Sequence, residues 1–399
     1  MTELNRPALR AIALATFLTL VPITLLVPGL TELVSVAHGG TRFQAHLFVS
    51  LNQLTGIIAV PFAMRLHRRF SETHRWIVGL LALDAVSFVG MGTAGSLGEL
   101  FAWRAVDGLA HLPAVTFLMI AANRAGGARR GASLGVVAAA LMVGVGVGAP
   151  IGGILVDRDP SLVYRVGAVL LAVAAVAALA IPRTAVAVDG PSRSRYAWDR
   201  TRVATWMPLA YGFADRFLIG VFVSSFTLYL TEVHQVSAAT RGMLMSLFLL
   251  PFALLCWPAG RLADRVGWYG PIVSANILFG ITYASYGLLP FALLPAAMVL
   301  SGVLSALMFS PSLVLVSEFA RRGAGEGLFG VFQVAGSFGF LFGPLVGGLL
   351  VETLRRTDGE PAWALIFGAV GALLVGLGLV SWRVLGRLSA EWKSGSWVG

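Results

Sequence analysis

Twelve long apolar stretches, separated by short polar breaks, dominate this chain. They fall at roughly 11–30, 45–64, 76–94, 98–121, 132–155, 163–181, 204–229, 242–259, 271–289, 294–318, 328–350 and 362–385. A helix needs about 20 apolar residues to cross a bilayer. A dozen such segments cannot all be hidden from water inside one globule, so the chain needs lipid as its solvent. Composition agrees. Of 399 residues 57% are hydrophobic and only 12% charged, where a soluble domain carries about 25% charged residues. Mean hydropathy is +0.83. The runs are continuous rather than alternating, which argues against an outer-membrane barrel. The first run is too long for the core of a signal peptide. The fold class predicted is an all-α polytopic membrane protein with twelve spans in two six-helix bundles.

The net charge of +10 could suggest nucleic acid, but the placement of the basic residues explains it otherwise. With the N-terminus placed inside, 21 of the 29 Lys and Arg residues fall in inner loops and ends, 6 fall outside, and Arg104 and Arg216 lie within spans. Such a bias orients a membrane protein with its basic loops in the cytoplasm. Both termini are therefore expected to be cytoplasmic, in a multi-pass cell membrane protein. Only Lys393 is lysine, a composition bias read as bacterial, which makes the membrane the cytoplasmic one. Cys256 is the single cysteine, so neither an internal disulfide nor a cysteine metal cage can form.

The longest inner loop, 182–203, is rich in Arg, Ser and Asp and lacks apolar periodicity. It is predicted to link an N-terminal bundle at 1–181 to a C-terminal bundle at 204–399, which ends in a short cytoplasmic tail. The two halves are related. Gly135–Asp157 reads GVVAAALMVGVGVGAPIGGILVD, and Gly330–Glu352, 195 residues on, reads GVFQVAGSFGFLFGPLVGGLLVE. Nine of 23 positions are identical without gaps. A repeat of six spans per half is the pattern of secondary transporters. Within it stand Gly144, Gly148, Pro150, Gly152 and Gly153 in the fifth span, and Gly339, Gly343, Pro344, Gly347 and Gly348 in the eleventh. Small residues four apart let helix backbones approach closely, and proline with a following glycine pair favours bending. The motif is read as a helix interface, and its repetition in both halves as a moving one.

After the eighth span the chain reads Gly260-Arg261-Leu262-Ala263-Asp264-Arg265-Val266-Gly267. This loop resembles the G-x-L-A-D-R-x-G signature of the major facilitator superfamily. The fifth-span glycine-proline motif resembles that family's antiporter motif, and Arg104 with Gly108 resembles its motif with an intramembrane arginine. The resemblance extends over essentially the whole chain and is to the twelve-span drug:proton antiporter branch. The corresponding loop of the first half, 63–70, keeps positive charge but lacks the glycines and the aspartate. The resemblance implies two bundles around a central cavity, alternating access, and a conformational latch at the loop. Asp264 and Arg265 are expected to pair across neighbouring helix ends, with Glu318 as partner for Arg265 or Arg261.

Ionisable residues inside a bilayer are costly and mark function by default. Arg104, Asp107 and His111 lie three and four apart on one face of the fourth span, and Arg104 can neutralise Asp107. The seventh span carries Asp215 and Arg216 in mid-span. Adjacent residues point about 100° apart, so they are poor partners for each other, and each is expected to seek a partner on another helix or to face water. The resemblance places the fourth and seventh spans along the cavity. Asp215 is the leading candidate to carry a proton, and Arg216, Arg104, Asp107 and His111 complete the predicted coupling or substrate site. Asp84 in the third span is read as a structural contact, and Glu32, Glu99 and Glu232 near the outer ends as solvated.

No phosphate-binding loop, zinc-ligand spacing or nucleophile elbow stands in a credible context. The chain is therefore expected not to be an enzyme and to need no metal or cofactor, with a proton gradient as its energy source. The activity expected is proton-coupled efflux of a small organic, apolar or amphipathic solute by a monomer in the lipid bilayer, without nucleic acid. Two rival readings remain: a proton-coupled or facilitative importer of a nutrient or metabolite, and a membrane sensor or scaffold without transport.

Overall fold

A computed structural model describes residues 6–70, 73–125, 130–182, 203–320 and 328–394. The linker expected at 182–203 lies almost wholly outside the described residues. Thirteen α-helices run in order: α1 (Arg6–Leu25), α2 (Arg42–Phe70), α3 (Thr73–Thr93), α4 (Leu97–Ala125), α5 (Arg130–Arg158), α6 (Leu162–Leu179), α7 (Val203–Val221), α8 (Thr227–Glu232), α9 (Ala238–Val266), α10 (Tyr269–Ser285), α11 (Leu294–Phe319), α12 (Leu328–Thr353) and α13 (Trp363–Ser394). A π-helical turn, Phe222–Phe226, joins α7 to α8, so these form one span, Val203–Glu232. Among the described residues, eleven segments are long and apolar enough to cross a membrane. The twelfth is α10, whose 17 residues fall just short. Among the described residues the only β pairing is a single bridge, Arg355 with Pro361.

Every long helix but three carries an internal proline, among them Pro22, Pro113, Pro150, Pro208 and Pro344. In water such a residue would break a helix. In a bundle, neighbouring helices re-satisfy the freed carbonyls. Leucines, valines and tryptophans stand exposed along the helices, Leu254, Trp257, Val176 and Leu373 among them. That surface is stable only against hydrocarbon.

The chain divides into two compact units. The first comprises Met1–Gly190 and Phe226–Ser246; the second, Pro191–Ser225 and Leu247–Gly399. In the first unit α1 packs on α5, α2 on α4 and α3 on α6. The α1–α5 contact runs through the glycines of the repeat. A Cβ on Gly148 would overlap Thr24 Oγ1 and the Val21 carbonyl oxygen, and one on Gly152 would overlap the Leu25 backbone. Thr24 Oγ1 uses the close approach to donate to the Val145 carbonyl at 3.0 Å. In the second unit the same scheme recurs: α7 packs on α12 and α10 on α13, and Gly302 of α11 meets the Phe248 backbone of α9. Gly339 and Gly343 meet the backbone of α7 at Phe213 and Phe217. The repeated motif is thus a helix-interface device of each unit. Gly144, Gly148 and Gly152 serve the pair α1–α5, and Gly339 and Gly343 the pair α7–α12; Gly153, which faces the backbone of Ala238 and Ala239, serves α9 instead.

Candidate functional site

Three ionic groupings stand out, each built on helices held by these close contacts. The first lies inside the first unit. Arg104 and Asp107, one turn apart on α4, form an ion pair at 2.5 Å with both side chains buried. The i, i+3 spacing brings them together. Asn52 of α2 donates to the same Asp107 oxygen at 2.8 Å. Gly108 makes that approach possible, because any side chain there would strike the Asn52 carbonyl. Arg104 Nε also donates to the Phe48 carbonyl at 3.2 Å, and its guanidinium lies 4.7 Å from the centre of the Phe48 ring.

His111 continues the α4 face but turns to α3. Its Nδ1 lies 2.8 Å from Asp84 Oδ2. Asp84 is 0% exposed. It is the direct partner of His111, a polar contact that joins α3 to α4. A signal existed in the sequence, a mid-span carboxylate, but nothing in one helix's periodicity says which neighbour it meets. Asp84 Oδ1, Asp107 Oδ1 and His111 Nε2 are buried and have no hydrogen-bond partner among the described residues.

The second grouping is in the second unit. Asp215 is 3% exposed, and Arg216 Nε lies 3.3 Å from its Oδ2. Helix geometry makes neighbours poor partners, yet these two meet, with the Arg216 side chain still 34% exposed. The long arginine side chain bends back across the angle between successive residues. Arg216 also lies 5.6 Å from the centre of the Phe309 ring. Among the described residues, Asp215 Oδ1 keeps no partner. The aromatic residues of this span mostly pack inward: Tyr211 and Phe222 are 1% and 2% exposed. Phe222 joins a ring cluster with Phe248 at 4.9 Å, which extends to Phe279, Tyr283 and Tyr286.

The third grouping was not anticipated. In the first unit Arg42 pairs with Glu232 at 2.5 Å. Arg241 pairs with Glu32 and donates to Thr231. Asp157, the last acidic residue of α5, accepts from the backbone N–H groups of Ala238 and Ala239 at 2.8 and 3.0 Å. A carboxylate at a helix N-terminus satisfies orphan donors and complements the helix dipole. Glu32 and Glu232, expected to be solvated, are instead ion-paired, because the segment Phe226–Ser246 packs with the first unit. Glu99 is exposed and accepts from the Gly95 N–H at 2.7 Å.

The loop after α9 is differently arranged. Gly267 has φ +87° and donates its N–H to the Ala263 carbonyl at 2.9 Å. It ends α9 in the left-handed conformation that glycine adopts without cost, which accounts for the final glycine of the signature. Gly260 lies within α9, with only the Ser310 side chain nearby. Asp264 and Arg265 are exposed, and no ion pair joins either of them to another of the described residues. The pairing expected there is not made among the described residues, and both side chains are exposed. Arg261 lies 4.3 Å from the centre of the Trp257 ring, and Glu318 is half-buried near the end of α11.

The comparisons agree with this architecture. In structure the chain is similar to a mutant of the nucleoside transporter NupG (TM-score 0.78, 13% identity, 94% of this chain and 99% of that one). It is also similar to a bacterial homolog of the human lysosomal transporter Spinster (0.76, 12%, 96% and 96%). A third similar structure is the human organic anion transporter MFSD10, or TETRAN (0.67, 16%, 96% and 100%). At these identities the likeness is one of fold. No curated protein matches the chain in sequence. The sequence pattern of the Major Facilitator Superfamily matches it twice, over residues 12–230 and 209–397. With two repeated halves of membrane-spanning helices, and a family match over nearly its whole length, the chain belongs to the Major Facilitator Superfamily and is a transporter, not an enzyme.

Proposed function

We propose that this protein is a proton-coupled antiporter that exports a small organic, apolar or amphipathic solute by alternating access. The observation that carries the reading is Asp215. It is a buried carboxylate in the middle of α7, with one oxygen held loosely by Arg216 and the other without a partner. A charged carboxylate in a span costs about 2.5–3.5 kcal/mol even on insertion-based scales. A group that expensive, half-satisfied, is suited to gaining and losing a proton rather than to holding helices together. The export direction rests on the resemblance of Gly148-Ala149-Pro150 and its flanking glycines to the family's antiporter motif. Orientation with both termini in the cytoplasm rests on the 21 to 6 distribution of basic residues.

The conformational latch has two ends in this reading. The pairs Glu32–Arg241 and Arg42–Glu232 are made, while Asp264 and Arg265 stand apart. A latch in one access state has one set of pairs closed and the other open. The similar structures include a nucleoside transporter and an organic anion transporter, both of small organic solutes, which supports that substrate class and no finer one.

The test has two steps. A thermal-shift screen of drugs, sugars, amino acids, nucleosides, siderophores and lipids on the purified protein identifies a solute. Proteoliposomes with an imposed pH gradient then show whether that solute moves against the proton flow. Movement with the proton flow assigns the protein as an importer. Stabilisation without flux assigns it as a sensor.

A further inference from the structure

We infer that Asp84, His111 and Asp107 form a second proton site, in the first unit, that holds one exchangeable proton. The inference deepens the proton-coupled reading above but is tested without transport.

The geometry brings three donor atoms, one each from Asp84, Asp107 and His111, within 4.8 Å of one another. All three side chains are buried. Each also keeps one polar atom without a partner: Asp84 Oδ1, Asp107 Oδ1 and His111 Nε2. Buried polar atoms are nearly always satisfied, and one left open asks for an explanation. Three on one cluster, two of them carboxylate oxygens, offer acceptor positions that a shared proton can fill.

Charge balance favours a proton. The cluster contains two carboxylates, one guanidinium and one imidazole. With a neutral imidazole and both carboxylates ionised, the net charge is −1. One added unit of positive charge makes the buried cluster neutral. A divalent cation would leave it at +1, uncompensated in hydrocarbon, which is strongly unfavourable. A sodium ion would balance the charge, but hard cations take oxygen ligands in number, and here an imidazole and a guanidinium occupy the flanks. A proton fits without rearrangement. On His111 it makes a second ion pair, with Asp84, beside Arg104–Asp107. On Asp84 it leaves only the Arg104–Asp107 pair charged. These are microstates of one site that takes up one proton.

The surroundings bring few competitors. Among the described residues, α2 contributes Asn52, which binds Asp107. From α6 comes Tyr164, whose hydroxyl is buried, unpartnered and within electrostatic reach of Arg104. The ionisable residues of α1 and α5 lie at the helix ends, Arg6, Arg10, Asp157 and Arg158 among them. Arg104 is already engaged by Asp107 and the Phe48 carbonyl, which leaves Asp84 and His111 as the pair that takes the proton.

The experiment is an infrared titration of the reconstituted full-length protein, wild type against Asp84→Asn, His111→Gln and the double variant. The charge count predicts that Asp84→Asn makes the cluster neutral without a proton, so this variant folds and its pH-dependent carboxyl band is lost. His111→Gln keeps a titrating carboxyl, moved in pH. The double variant shows no step from this site. Identical difference spectra in wild type and Asp84→Asn would overturn the inference. So would stoichiometric binding of Zn²⁺ or Na⁺ by the wild type that Asp84→Asn abolishes. Circular dichroism and thermal unfolding of the same samples show whether each variant is folded. Should Asp84→Asn fail to fold, the band that His111→Gln moves decides alone. Absence of gradient-driven flux in the wild type would refute the coupled reading while leaving this titration intact.

Discussion

Arg241 is 1% exposed, and its guanidinium pairs with Glu32, 209 residues away in sequence. The two ends of this pair are unequally buried: 27% of the Glu32 side chain remains exposed. The asymmetry makes a directional prediction. Glu32→Ala leaves a buried guanidinium with Thr231 as its named partner, whereas Arg241→Met leaves a carboxylate that water can reach. Removing one partner of a fully buried pair costs about 3–5 kcal/mol. Glu32→Ala is expected to approach the lower figure and Arg241→Met to fall well below it. Both should raise thiol-reagent access to cysteines placed on the outer side of α1 and α9. Equal thermal shifts in the two variants would contradict the burial argument, and unchanged access would contradict the latch.

The glycine interfaces predict a graded series. Gly148→Ala drives a methyl into Thr24 Oγ1 and the Val21 carbonyl, and Gly343→Ala drives one into the Phe217 carbonyl. Nothing lies within 4 Å of a Cβ on Gly376 of α13, so Gly376→Ala should be neutral or stabilise by up to about 1 kcal/mol. Leucine at 148 or 343 should abolish transport with near-normal membrane insertion. Thermal stability in detergent and solute flux check the order.

Arg104 and Asp107 predict a non-additive cycle. Arg104→Ala leaves Asp107 buried with Asn52 as its remaining donor, and should cost about 3–5 kcal/mol. Arg104→Ala combined with Asp107→Asn removes both charges and should be less destabilised than Arg104→Ala alone. A double variant worse than the sum of the singles would show that the pair does not act as one.

How far the sequence could be read depended on distance along the chain. Arg104 and Asp107 are one turn apart, so their pairing follows from helical spacing. The glycine interfaces were legible because small residues four apart have one main use in lipid. The partner of His111 was not legible. Asp84 lies on another helix, and in spans this uniformly apolar the pattern does not fix how each helix is rotated. Glu32, Glu232 and Asp157 were missed for a related reason. Each meets a residue tens to hundreds of positions away, and an acidic residue at a helix end looks the same in sequence whether solvated or paired. Asp215 and Arg216 failed the other way: backbone angles said they diverge, and arginine's length overrode them.

The signature loop predicts a separation of stability from conformation. Asp264 is exposed and without an ion pair among the described residues, so Asp264→Asn should change stability by no more than about 0.5 kcal/mol. If Asp264 closes the latch in the other access state, the same variant should still alter the ratio of inner to outer cysteine accessibility. An unchanged ratio would remove Asp264 from the latch.

Asp215 tests the central claim most directly. Asparagine at this position keeps the size and hydrogen bonding of the side chain but cannot exchange a proton. In proteoliposomes carrying an imposed pH gradient, the wild type should move its solute uphill against the proton flow. Asp215→Asn should lose that gradient-driven movement and retain solute exchange at equal pH. Gradient-driven transport that survives in Asp215→Asn, or a wild type whose flux ignores the gradient, would contradict the account.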